Sequence, residues 1–203
     1  MILAFDTSTA ACTAALFDGA GECVARTDER IGRGHAERLV PMLDEMLDGR
    51  RADRIIVGVG PGSFTGIRVG LAAAHGLAIG WDAELAGMSS LALLAASARS
   101  HEPVAAAMTG GHGELFVQQF DGDTLEPRSE LANLPPSEAA GATDAELVIG
   151  SGAQQLVDAR GWGEALDAFP SAADALRLPE ALRTLAARPV YARAPDARAL
   201  EPA

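Results

Sequence analysis

Apolar and polar positions in the first thirty residues alternate in short runs. Residues 2–5 are apolar and end in the polar cluster Asp6-Thr7-Ser8-Thr9. Cys12, Ala14 and Leu16 then alternate with Thr13 and Ala15 as far as the turn signal Asp18-Gly19, and a third strand is predicted over about residues 22–27. After the flexible Ile31-Gly32-Arg33-Gly34, Leu39, Leu43, Met46 and Leu47 recur at spacings of three and four, which predicts a helix over about 36–47. Pro41 inside that pattern removes a backbone donor, so a kink or a start near Leu39 is expected. The β-branched run centred on Ile55, Ile56 and Val57 predicts a buried strand. It leads into Gly60-Pro61-Gly62-Ser63-Phe64-Thr65-Gly66, a long helix to about Ile79, a strand over 84–87 and a helix over 89–97.

The second half repeats strand, glycine loop and helix. Strands are expected over 104–108 and 115–120 around a hairpin loop, Thr109-Gly110-Gly111-His112-Gly113, and over 147–150 before a helix at 153–159. Residues 131–142 read as loop, and 172–187 as a helix broken at Pro179. The boundary falls near residue 100. This gives an α/β protein with mixed sheets under helices, in two units, 1–100 and 101–203.

Composition narrows the function classes. The chain has 203 residues, 28 acids against 16 bases and a net charge of −12, and every base is arginine. So acidic a chain repels nucleic acid unless it hides a basic groove or works beside a partner that has one. Without lysine there is no P-loop and no Schiff-base chemistry. No long apolar run predicts a membrane span, and Met1-Ile2-Leu3-Ala4-Phe5-Asp6 carries no basic leader, so a cytoplasmic location is expected. Cys12 and Cys23, both in apolar strand-like surroundings, are not spaced as a zinc or redox pair.

Three places invite chemistry. Asp6-Thr7-Ser8-Thr9 has two readings: a carboxylate with three hydroxyls holding a hydrated metal or phosphate, or a set of side chains capping a turn. The loop from Gly60 to Gly66 has the same duality, with Ser63 as N-cap and free N–H groups facing an anion or only the sheet. In the helix that follows, Gly66, Gly70 and Ala74 make a stripe nearly without side chains, flanked by Leu71, Ala73 and Leu77. Glycine in a helix interior costs about 1 kcal/mol against alanine, so another backbone must come close there: the sheet beneath, or a helix of another chain. His35, His75, His101 and His112 are scattered, and no metal-binding or serine-nucleophile motif occurs. Arg68 has an anion, a partner's acid or water as its counterpart.

Taken together, Ile2-Leu3-Ala4-Phe5-Asp6-Thr7-Ser8, the His35-Ala36-Glu37-Arg38-Leu39-Val40-Pro41 stretch and Gly60-Pro61-Gly62-Ser63-Phe64-Thr65-Gly66-Ile67-Arg68-Val69-Gly70 resemble the TsaB (YeaZ) family. Beyond Gly113 the likeness rests on Glu114-Leu115-Phe116-Val117 and Val190-Tyr191-Ala192-Arg193. The resemblance implies an actin/Hsp70/sugar-kinase-like fold, two lobes on ribonuclease-H-like sheets, with the last residues packing back on the first lobe. It implies a non-catalytic accessory subunit that heterodimerises with the catalytic threonylcarbamoyltransferase TsaD and supports N6-threonylcarbamoylation of adenosine 37 in tRNAs. The ATPase subunit TsaE joins the assembly, tRNA is met only indirectly, the chain alone forms a homodimer, and no catalytic, cofactor or metal residues are expected. Where the catalytic relative has a paired histidine motif, this chain has Ser90 and Leu94. The resemblance places the partner interface at His35, Leu39, Met42, Leu43, Met46, Phe64, Gly66, Arg68, Gly70, Ala73, Ala74 and Leu77. Thr109-Gly110-Gly111 replaces the family's frequent Asp-Ala-Arg. The competing expectation is an actin-like-fold ATPase or phosphotransferase using Asp6 and the 60–66 loop.

Overall fold

Alternation along each strand sends neighbouring side chains to different cores. In the computed structural model, which describes residues 1–192, β1 (Ile2–Asp6) turns Leu3 and Phe5 to one face and Ala4 to the other. β1 pairs antiparallel with β2 (Ala11–Phe17), and β2 with β3 (Cys23–Arg30). On its other side β1 runs parallel to β4 (Arg54–Gly58), which is parallel to β5 (Glu84–Met88), giving the order β3-β2-β1-β4-β5. Helices α1 (His35–Leu47) and α2 (Phe64–Trp81) cover the Leu3, Phe5, Ile55 and Val57 face.

The second sheet repeats this order and these strand senses. β6 (Val104–Thr109) pairs antiparallel with β7 (Leu115–Phe120), β7 with β8 (Ala132–Leu134), and β6 runs parallel to β9 (Leu147–Ile149), itself parallel to β10 (Glu164–Leu166). Helices α4 (Pro136–Ala142) and α5 (Ala153–Arg160) cover its outer face over Ala105, Ala107 and Val148. Between the sheets lies a shared core. Helix α3 (Ser90–Ala96) and a 3-10 segment (Ala172–Arg177) pack there against Ala4, Ile56, Ala106, Met108 and Ile149. Two mixed sheets of matching topology, each with helical cover, are the ribonuclease-H-like pair of the actin/Hsp70/sugar-kinase class.

After α6 (Glu180–Arg183) the chain crosses to the first sheet. Ser89 N–H donates to Leu182 O at 2.9 Å, Gly87 and Leu185 exchange two backbone bonds of 2.7 and 3.0 Å, and Val190 N–H donates to Val59 O at 2.8 Å. Leu185, Ala187 and Val190 pack against the core under α1 and α2.

Several expectations need correction. Helix α1 starts at His35, not near Leu39, and continues past Pro41; Pro41 and Glu37, whose carbonyl loses its donor, both face solvent. Residues 131–142 hold β8 and α4, with Pro136 at the first helical position, where its missing N–H costs nothing. Strand β10 has no counterpart in the sequence pattern. Residues 172–187 form a 3-10 segment, the single turn α6 and a strap, not one helix. Cys12 is buried as expected, whereas Cys23 is exposed at the start of edge strand β3. Among the described residues no helix is long and apolar enough to cross a membrane.

Candidate functional site

The turn after β1 is held from within. Ser8 donates its backbone N–H and its Oγ to Asp6 Oδ1, each at 2.7 Å, and Ser90 Oγ donates to Asp6 Oδ2 at 2.5 Å. Gly60 N–H in turn donates to Ser90 Oγ at 3.2 Å. Asp6 is fully buried and its carboxylate already accepts three bonds, so the turn-capping reading of Asp6 fits and the metal reading loses its ligand. The 60–66 loop lies on this turn. Ser63 N–H donates to Ser8 O at 2.7 Å, Ser63 Oγ caps Gly66 N–H at 3.2 Å, and the Gly60–Pro61 peptide is cis. A Cβ added at Gly62 would overlap Ser8 O, one at Gly66 would overlap Thr7 O, and one at Gly70 would meet Thr7 Oγ1 at 2.5 Å. Thr7 Oγ1 itself donates to Gly66 O at 2.7 Å. Of the two neighbours considered for the glycine stripe, the close one is this chain's own first turn.

The same holds for most of the residues expected at a partner interface. His35, Leu39, Met42, Leu43, Met46, Gly66, Gly70 and Ala74 are buried beneath their own helices against the sheet. They leave little surface for another chain: both stripes are turned chiefly to their own sheet, against the expectation that they meet partner helices. The reason is periodicity: the apolar stripe of a helix on a sheet is the face that leaves water on folding. His35 Nε2 lies 3.3 Å from Ala11 O. Arg38 fixes α1 to β3 by donating to both carboxylate oxygens of Glu29, at 2.7 and 2.6 Å, and also reaches Glu45 at 3.2 Å. This fork holds the Glu29 carboxyl below its ordinary range.

What the helix pair exposes is a different set. Val40 is 61% exposed, Phe64 55% and Ile79 84%, while Ala73 and Leu77 are half-buried and Arg68 and Ala72 exposed. Around Gly76 and Gly80 nothing lies within 4 Å of where a Cβ would stand, so no contact among the described residues requires glycine there. At the N-terminal end of α2, Arg68 stacks 3.4 Å from the Phe64 ring centre, and its Nη2 donates to Tyr191 Oη at 3.1 Å. The Tyr191 ring completes the set, 5.8 Å from that of Phe64 and tilted by 32°. Sequence reasoning included Phe64 and Arg68 and missed Val40, Ile79 and Tyr191. An apolar residue off the helix stripe was the available signal for Val40 and Ile79. Nothing local announces a contact 123 residues away. Arg193, read together with Tyr191, lies outside the described residues.

A cleft of about 850 Å³ opens where strand ends of both sheets converge, lined in part by Ser8, Arg30, Arg33, Thr65, Thr109 and Ser151. Asp6 is not among the lining residues. Thr109 ends β6 at the expected hairpin, and its N–H donates to Ser151 Oγ at 3.1 Å. At the two positions matched to paired histidines, Ser90 has its hydroxyl on Asp6 and Leu94 is packed in the shared core. Neither fits a metal, and among the described residues no group of three His, Cys, Asp or Glu converges.

Known proteins share this architecture. Residues 28–145 match the family model for TsaD, tRNA N6-adenosine threonylcarbamoyltransferase. The chain is 37% identical over 126 residues to the tRNA threonylcarbamoyladenosine biosynthesis protein TsaB of Haemophilus influenzae, covering 58% of this chain and 52% of that protein. With Escherichia coli TsaB it shares 35% over 131 residues, 60% and 55% of the two chains. It thus spans about half the length of the curated relatives it matches. Among solved structures, YeaZ from Pseudomonas aeruginosa superposes with a TM-score of 0.78 at 32% identity, over 94% of this chain and 98% of that one. A second Pseudomonas aeruginosa structure, described as similar to peptidase YeaZ, gives 0.79 at 33%, over 95% and 99%.

Proposed function

The chain belongs to the TsaB (YeaZ) family, within the wider family of tRNA N6-adenosine threonylcarbamoyltransferase, and from that premise we propose that it serves tRNA threonylcarbamoyladenosine biosynthesis as a non-catalytic accessory subunit. It docks on the catalytic subunit TsaD through α1 and α2. Residues 1–100 form the docking lobe and the chain from residue 101 the smaller lobe, with the strap over Leu185–Val190 packed back on the first. TsaE joins through the same cytoplasmic assembly, tRNA is contacted only indirectly, and without TsaD the same face pairs with a second copy.

The observation that carries this reading is the outward face of α2. Ala72, Ala73, Gly76 and Gly80 leave it nearly flat, Ile79 stands almost wholly in water, and the two glycines weaken the helix by about 1 kcal/mol each with no gain among the described residues. Flat, small-residue helix faces suit close helix–helix approach, and an isoleucine so exposed loses water when covered. The interface therefore narrows, from the twelve residues expected on sequence, to Phe64, Arg68, Ala73 and Leu77, with Val40, Ala72, Gly76 and Ile79 added. A lack of catalysis by this chain is supported by Ser90 and Leu94, which stand where the catalytic relative's histidines would and serve the core instead.

The test is calorimetry and size exclusion with TsaD from the same organism, followed by tRNA modification by the mixed subunits. Wild type binds and raises modification; Ile79→Asp and Gly76→Arg stay folded and weaken binding at least tenfold. Unchanged binding by both variants rejects the face, and modification by TsaD alone at the full rate rejects the accessory role. The competing ATPase reading has the cleft in its favour, with Arg30 and Arg33 on its wall, but its carboxylate is committed elsewhere. ATP turnover by the isolated chain would reinstate it.

A further inference from the structure

The cluster of Phe64, Arg68 and Tyr191 joins two parts of the chain that the fold brings together only at its end. Phe64 is the first residue of α2, and its ring is more than half exposed, so burial does not explain an aromatic side chain there. Arg68, one helical turn on, covers one side of that ring at 3.4 Å. Tyr191 arrives from the strap, directly after Val190 is tied to the end of β4 by its bond to Val59 O, and four residues beyond Ala187, whose carbonyl meets His75 Nε2 of α2 at 3.2 Å. Its ring packs on Phe64 and its hydroxyl accepts from Arg68. Each of the three therefore touches the other two. Among the described residues Arg68 forms no ion pair, in a chain with 28 acids, so what holds its guanidinium in place is the phenol and the phenyl ring.

We propose that Tyr191 is a positioning residue for docking: the strap of the second lobe presets Phe64 and Arg68 in the arrangement with which α2 meets its partner. This rests on the reading of α2 as the TsaD-docking face. Aromatic residues and arginine are the types that carry most binding energy at protein interfaces. A long, rotamer-rich side chain that is already immobile before docking loses less freedom on docking. An arginine laid on an aromatic ring still offers its outer donors, which suit a carboxylate or carbonyl of the partner helix.

The measurement is the dissociation constant for TsaD, by calorimetry, of wild type, Tyr191→Ala, Tyr191→Phe, Phe64→Ala/Arg68→Ala and the triple variant, each with its melting temperature. Immobilising one such side chain corresponds to roughly three- to tenfold in affinity. Tyr191→Ala is expected to weaken binding by that factor with little change in melting temperature, and Tyr191→Phe, which keeps the ring, by less. In the Phe64→Ala/Arg68→Ala background, Tyr191→Ala should have no further effect. The proposal fails if Tyr191→Ala binds like wild type, or if its loss persists undiminished in that background, since Tyr191 then acts directly or only through stability. Wild type that does not bind TsaD overturns the docking reading itself, and this inference with it.

Discussion

At the residue scale, the glycines of α2 divide into two kinds that the sequence cannot distinguish. Gly66 and Gly70 lie against Thr7, whereas Gly76 and Gly80 face open space. Gly66→Ala should therefore lower stability in urea by about 1–3 kcal/mol, as overpacking does, because the obstructing atom is a backbone carbonyl that cannot step aside. Gly76→Ala should raise it by about 0.5–1 kcal/mol. The cysteines divide too. Burial, with Glu29 and Asp6 nearby, pushes the Cys12 thiol up to about 12. Labelling at pH 8 should modify Cys23 alone, and slowly, since burial of its neighbourhood raises that thiol as well. Modification of Cys12 at a similar rate would mean that β2 opens readily. Glu29 sets a pH dependence. Its carboxyl titrates lower in the folded chain than the ordinary 4.5, chiefly through the Arg38 fork, so the folded state holds fewer protons than the unfolded one in that range. The pair's contribution is complete above about pH 4.5 and fades as pH falls through the lowered value. The melting-temperature gap between wild type and Glu29→Gln should be constant from about pH 6 to 8 and shrink below about 4.5.

At the element scale, what could be read from the pattern of side chains depended on how much sequence an element uses to bury itself. Strands β1, β2 and β4 and helices α1 and α2 each place several apolar residues in one core, and their periodicity marks them within a residue or two. Strands β8 and β10 have three residues each, too few for a period, and are fixed by the neighbours they pair with. The candidate site shows the same limit. Periodicity picked out Leu39, Leu43 and Met46 because they are apolar in register, and that register is what turns them inward. A docking face is made of what the stripe leaves over, and Val40 and Ile79 are visible only once the stripe has been assigned to the sheet. Tyr191 depends on the strap, which no local pattern specifies.

For the whole molecule, the shared core matters most. Helix α3 and the segment Ala172–Arg177 fill the space between the sheets, and polar links reinforce the junction. Buried Asp174 accepts from Arg99, Arg177 and Ser97, and Thr13 with Asp28 holds Ser171 and the N–H of Ala172. Two lobes joined this way should unfold together. Calorimetry is expected to give one transition with equal van't Hoff and calorimetric enthalpies, and two resolved transitions would contradict a common core. Asp174→Ala, which strands two partly exposed guanidiniums, should lower stability by about 2 kcal/mol without splitting the transition.

The crossing of the strap back to β4 and β5 also sets an order of events during synthesis. A ribosome completes α1 and α2 while the residues that finish their surroundings, Leu185 through Tyr191, are still untranslated. A nascent chain at that stage holds the residues of both helices but lacks the aromatic clasp at the head of α2. Docking that relies on that clasp, as proposed, therefore waits until residue 191 has been made, by which point both the strands and the helices of the second sheet have already been synthesised.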